Sequence, residues 1–193
     1  MSSTEKYTIR RKVLKLFGAA FHVYDEQGSV IGFCKQKAFK LKEDIKLYTD
    51  EGMSEELLSL QAQSIIDFGA SYSITIPDGT SLGTLRRKGM KSSFVRDEWT
   101  IFNPNGEAIA KIHETGSFAP IARRYVDFAS ILLPQRYLIT AINTNSDIAL
   151  FRQYFNPFIF RLGVSIMEED EHVDDLLLLG AACLISAIEG RQD

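Results

Sequence analysis

The sequence predicts a mainly β domain in which antiparallel hairpins enclose an apolar helix at the C-terminus, and three observations carry that reading. A glycine-centred hairpin motif recurs along the chain, short segments between its copies alternate with a period of two, and residues 176–188 are apolar on nearly every side. With 193 residues, 45% of them hydrophobic and 24% charged, the chain can bury one sizeable core, and residues 1–193 read as a single domain.

The repeat sets the order of elements. Its first copy runs from Phe21-x-Val23 through Gly28 to Ile31-Gly32, its second from Tyr72-x-Ile74 through Gly79 to Leu82-Gly83, and its third from Trp99-x-Ile101 through Gly106 to Ile109-Ala110. Aromatic and β-branched side chains suit a pleated surface, and Asp78-Gly79 and Asn105-Gly106 predict tight primed turns because glycine reaches positive φ without steric cost. Asp25-Glu26-Gln27-Gly28 reads as a longer version of the same turn. A degenerate fourth copy extends from Tyr137-x-Ile139 through Asn143, Asn145 and Asp147 to Ile148-Ala149, with asparagine in place of the glycine.

Between the copies, Leu58, Leu60, Ala62, Ser64, Ile66 and Phe68 alternate with Ser59, Gln61, Gln63 and Asp67, the period of a half-buried strand. A helix capped by Ser54-Glu55-Glu56 is the weaker reading of that stretch. Phe39-x-Leu41, Ile45-x-Leu47 and Phe158-x-Phe160-x-Leu162 predict further short strands. Residues 117–133 predict an amphipathic helix, with Pro120 in the first turn, Ile121, Tyr125, Phe128 and Leu132 at helical spacing, Arg123, Arg124 and Asp127 opposite, and Pro134 as the stop.

The thirteen residues from 176 to 188 would span roughly 20 Å as a helix, short of the roughly 30 Å of a bilayer core, so they predict a helix buried in protein. Gly32 and Cys34, Gly83 and Leu85, and Ala110 and Ile112 share one strand face, predicted to pack on that helix. The opposite face then carries Lys35 and Lys37, Arg86 and Lys88, and Lys111 and His113.

The formal net charge of −3 argues against coating nucleic acid by charge alone, so any anion site must be local. Charge is unevenly placed: ten Lys and Arg lie between Lys6 and Lys46 against Asp25, Glu26, Glu43 and Asp44, whereas Glu168, Glu169, Asp170 and Glu171 open a purely acidic run. Cys34 and Cys183 have no metal-ligand spacing and read as packing residues in a reducing, cytoplasmic compartment. The first ten residues lack the apolar stretch of a secretory signal.

Chemistry has few starting points. Gly79-Thr80-Ser81-Leu82-Gly83 satisfies G-x-S-x-G, but a nucleophile elbow needs a helix after the serine, and a strand is predicted there. His22, His113 and His172 are scattered, so no metal site is expected, no phosphate loop is present, and no cofactor is implied. The pairs Glu55-Glu56 and Asp174-Asp175 adjoin predicted helix starts, where carboxylates suit the dipole. The expectation is a protein that is not an enzyme.

Residues 58–68 leading into Tyr72-x-Ile74, the run Gly83-Thr84-Leu85-Arg86-Arg87-Lys88 with Asp97-Glu98-Trp99 downstream, and Leu179-Gly180-Ala181-Ala182-Cys183-Leu184-Ile185 together resemble the Tubby-like C-terminal superfamily, in particular its LURP-one-related and phospholipid-scramblase-like branches. The resemblance implies a closed barrel of about twelve strands threaded by the terminal helix, which removes exposed strand edges. It also implies a non-enzymatic domain that binds anionic phospholipid headgroups, peripherally at a membrane, or a protein partner, with no nucleic acid expected. The candidate contacts are Arg86, Arg87, Lys88 and Lys91, with Lys35 and Lys37. The chain departs from animal scramblases in lacking their cysteine-rich and proline-rich N-terminal stretches, and its acidic run lacks their alternating calcium-binding pattern. Two other readings compete: a membrane-associated scramblase-like protein that inserts residues 176–188 in lipid, and an enzyme with a pocket at a barrel end.

Overall fold

The computed structural model describes residues 4–12, 19–36, 45–66, 69–88, 98–115, 135–154, 156 and 158–189. Twelve strands form a closed antiparallel barrel: β1 (Tyr7–Lys12), β2 (Ala19–Tyr24), β3 (Val30–Gln36), β4 (Ile45–Tyr48), β5 (Glu56–Ile66), β6 (Gly69–Thr75), β7 (Ser81–Arg87), β8 (Glu98–Phe102), β9 (Ala108–Glu114), β10 (Arg136–Ala141), β11 (Asp147–Tyr154) and β12 (Ile159–Ile166). Each strand pairs with its neighbour in sequence. β12 closes on β1, with Tyr7 opposite Val164 and Lys12 opposite Ile159, so the sheet has no free edge. Helix α1 (Asp175–Glu189) is the one helix among the described residues.

The repeat is real in three dimensions. It forms the hairpins β2–β3, β6–β7, β8–β9 and β10–β11, and each breaks register immediately after the inward β-branched residue of its first strand: Val23, Ile74, Ile101 and Ile139. A bulge at a shared position gives the four hairpins a common added twist, which bends a sheet toward closure. The turns differ from the primed type expected. In the second, Gly79 N donates to Ile76 O and Ile76 N to Thr80 O. In the third, Gly106 N donates to Asn103 O and Asn103 N to Glu107 O. Only the closing glycine has positive φ, +88° at Gly79 and +84° at Gly106, whereas a primed two-residue turn needs its other central residue there too. The loop is therefore a type I reversal, with Pro77 or Pro104 at its favoured second position, ended by a left-handed residue. In the fourth hairpin Asn145 fills that role at φ +55°, in a turn one residue longer, closed from Ala141 N to Ser146 O.

The core lies inside the barrel. Phe21, Val23, Leu47, Leu58, Leu60, Ile74, Leu85, Ile101, Ile112, Ile139, Phe151 and Leu162 point inward onto α1, whose Ala181, Ala182, Cys183 and Leu184 are fully buried. A Cβ on Gly180 would lie 2.8 Å from Ile74 Cδ1, so the helix rests close against β6 and any side chain at 180 would have to displace that of Ile74. Gly83 faces Leu177 of the helix as expected, but Gly32 is packed against Val23 and Leu47 rather than the helix. Arg10, His22, Lys35, Lys46, Gln61, Arg86, Lys111 and Arg152 lie on the outer face, the reverse of a membrane-spanning barrel with its apolar band outward.

The 58–66 part of the alternating stretch is strand β5, so Glu55-Glu56 leads into a strand and not a helix; Asp174-Asp175 does stand at a helix start, with Leu176 N donating to Asp174 Oδ1 at 2.7 Å. The polar N-terminus contributes β1, which the sequence reading did not assign; its inward positions Ile9 and Arg11 are both buried. The strand expected at Phe39-x-Leu41 and the helix expected over 117–133 lie outside the described residues.

Candidate functional site

Because every strand runs antiparallel to the next, the connections alternate between two ends. One end carries the β2–β3, β4–β5, β6–β7, β8–β9 and β10–β11 turns and the approach to α1. These segments hold Asp25, Glu26, Asp50, Glu51, Glu55, Asp78, Glu107, Glu168, Glu169, Asp170, Glu171 and Asp174, and neither a lysine nor an arginine. Lys6, just before β1, is bonded to Asp175 there, and that bond raises its pKa above the ordinary value. Asp50 and Asp78 are held below the usual carboxylate range by hydrogen bonds, chiefly from the Ser54 hydroxyl and the Thr80 N–H respectively.

Among the described residues, the opposite end is basic. Its strand ends carry Arg10 and Arg11 on β1, Lys35 on β3, Arg86 and Arg87 on β7 with Lys88 beyond, Arg136 on β10, Arg152 on β11 and Arg161 on β12, against Glu98 and Glu114. All described candidates from the sequence therefore share this end. Lys35 is exposed, four strands around the barrel from β7. Arg86 is exposed with its guanidinium 4.8 Å from the Phe102 ring centroid. Arg87 turns inward at the rim, half-buried and 5.7 Å from the Trp99 ring. Lys88 donates to Glu98 Oε2 at 3.1 Å, so part of its charge is neutralised. Lys37 and Lys91 lie outside the described residues.

The larger basic surface was not foreseen. Arg10 stands directly opposite Arg161, and Arg136 directly opposite Arg152, on the outer wall of β10, β11, β12 and β1. Three of these guanidiniums lie over aromatic faces: Arg152 and Arg161 at 4.9 and 4.5 Å from Tyr154, Arg10 at 4.6 Å from Tyr24. Arg11 and Arg87 face inward at the end where α1 terminates, and the last turn of α1 has no base of its own to meet its dipole. No local motif signals the wall, since Arg10 and Arg161 meet only through barrel closure.

The same end displays Phe158, 64% exposed, and Ile159; the Asn156 side chain accepts the N–H of both. Ser81 opens strand β7 and is followed by no helix, which removes the geometry of a nucleophile elbow. Among the described residues no group of three or more His, Cys, Asp or Glu is placed to hold a metal ion, and no helix is long and apolar enough to cross a membrane. Compared with protein-family models, with curated proteins and with solved structures, the chain has no match.

Proposed function

We propose that this chain is a binding domain of Tubby-like, LURP-one-related character that attaches to anionic phospholipid headgroups through the basic end of its barrel. The observation that carries the reading is the separation of charge. A protein of net charge −3 is repelled by an anionic surface on average, but among the described residues this barrel can present Lys35, Arg86, Lys88, Arg136 and Arg152 beside only Glu98 and Glu114, while the acidic turns lie at the other end. Each base near such a surface contributes about 1 kcal/mol, within a screening length of about 8 Å at physiological salt. Phe158 and Ile159 add apolar side chains that can enter the headgroup region beside these bases.

The scramblase-like alternative places residues 176–188 in lipid, and it would have to expose a helix whose residues 177–187 are buried inside the barrel. Flotation with phosphoinositide-containing vesicles tests the proposal. Wild-type protein should float at low salt and not at high salt, and Lys35→Glu, Arg86→Glu and Lys88→Glu together should abolish flotation without lowering Tm, since exposed charges add little stability. Wild-type protein that ignores such vesicles at low salt would leave a protein partner as the better reading.

A further inference from the structure

We propose that the outer wall of β10, β11, β12 and β1 holds a discrete site for a ligand with neighbouring phosphate groups, and that the Glu5 carboxylate sits in it as an internal substitute. The site shares Arg136 and Arg152 with the basic end proposed above, but binding of a soluble ligand to it can be measured whether or not the barrel meets a membrane.

Two directly opposed arginine pairs across four adjacent strands are unfavourable in an isolated sheet, because like charges facing each other across a ladder repel. Among the described residues, one carboxylate, Glu5, pairs with one of the four, Arg161. It accepts hydrogen bonds from Arg161 Nη2 at 3.0 Å, Thr8 Oγ1 at 3.2 Å and the Tyr154 hydroxyl. Gly163 forms the floor of the seat, where a Cβ would collide with that carboxylate. The seat therefore has the features of a built anion site: donors converging from three strands and a glycine that makes room.

One carboxylate does not fill it. Arg161 Nε is buried with no hydrogen-bond partner, so one donor of the fork is unused. Arg136 and Arg152 make no ion pair among the described residues. The stack of Arg152 and Arg161 on Tyr154 holds both guanidiniums in place before any ligand arrives, which reduces the ordering cost of binding. Arg152 and Arg161 lie diagonally across β11 and β12 and both guanidiniums approach the one Tyr154 ring, so two neighbouring phosphates of one ligand, as in a diphosphate, can engage both. Glu5 precedes the first ladder bond of β1, from Lys6 N to Val164 O, so it can leave without breaking the sheet.

Titration calorimetry of the full chain with pyrophosphate at low salt tests the site. Wild-type protein should bind it more tightly than inorganic phosphate. Glu5→Gln should bind about tenfold more tightly, because the internal competitor loses its charge, and Arg152→Gln at least tenfold more weakly, while Arg152→Lys should recover only part of the loss. If Glu5 were merely a strap, Glu5→Gln would lower Tm and leave affinity unchanged or weaker, and that result, or no binding of pyrophosphate by the wild type, overturns the proposal. Because Arg152 is also one of the membrane-facing bases, the source is read against Arg86→Gln: vesicle flotation that falls further with Arg152→Gln than with Arg86→Gln identifies the phosphates as a lipid headgroup's, and an equal fall with both, or none, identifies a free ligand.

Discussion

Cys34 and Cys183 both lie buried inside the barrel, and burial pushes the Cys34 thiol up to about 12 and the Cys183 thiol well above its ordinary value. Neither is a nucleophile at neutral pH; both fill space. The consequence is a stability that falls in alkali. Between the ordinary thiol value of 9.0 and about 12, the unfolded chain has released the Cys34 proton and the folded chain has kept it, so fewer protons are bound by the unfolded state and stability decreases as pH rises. Lys6, whose pKa is raised from 10.5 by Asp175, adds a loss in the same direction above that value. Urea midpoints measured from pH 8 to 10.5 should fall, and Cys34→Ala should flatten the slope; parallel curves would contradict this origin. Gly180 supplies a second test at this scale. Gly180→Leu should overpack against Ile74 and prevent folding, whereas Leu184→Asp should do so by burying an unpaired charge, and a soluble, cooperatively melting Leu184→Asp protein would contradict the enclosed helix.

The hairpins show what a local pattern can and cannot carry. A space of more than 4 Å surrounds any Cβ added at Gly79 or Gly106, so valine there meets no neighbour and pays only for positive φ. Gly79→Val and Gly106→Val should each cost about 1 kcal/mol or more in urea unfolding, and asparagine much less, since Asn145 already serves in the fourth hairpin. Equal losses from valine and asparagine would mean that the turn is not the cause. Four hairpins, strand β5 and helix α1 were legible because their signals are local: a turn residue, a period of two, an unbroken apolar run. The turn type was misread because Pro77 and Pro104 were not weighed against the glycines. Strand β1 was missed because its inward set is Tyr7, Ile9 and Arg11, and an inward arginine erases the alternation. The arginine wall was illegible for a different reason, since Arg10 meets Arg161 across 151 positions of sequence and only closure of the barrel brings them together.

At the scale of the whole molecule, the alternation of connections in an antiparallel barrel turns a linear charge pattern into a polar object. Among the described residues, acidic turns alternate along the chain with strand ends richer in bases than in acids, and folding sorts them to opposite ends. The fold thereby allows an acidic protein to meet an anionic surface in one orientation, which is the central claim. It is tested most directly by an environment-sensitive fluorophore placed at either end, on Phe158→Cys at the basic end or Asn105→Cys at the acidic end, with the buried native thiols inaccessible to label. On addition of phosphoinositide-containing vesicles at low salt, emission from position 158 should shift to the blue and return with salt, while emission from position 105 stays unchanged. A shift at 105, or none at 158, would contradict the account.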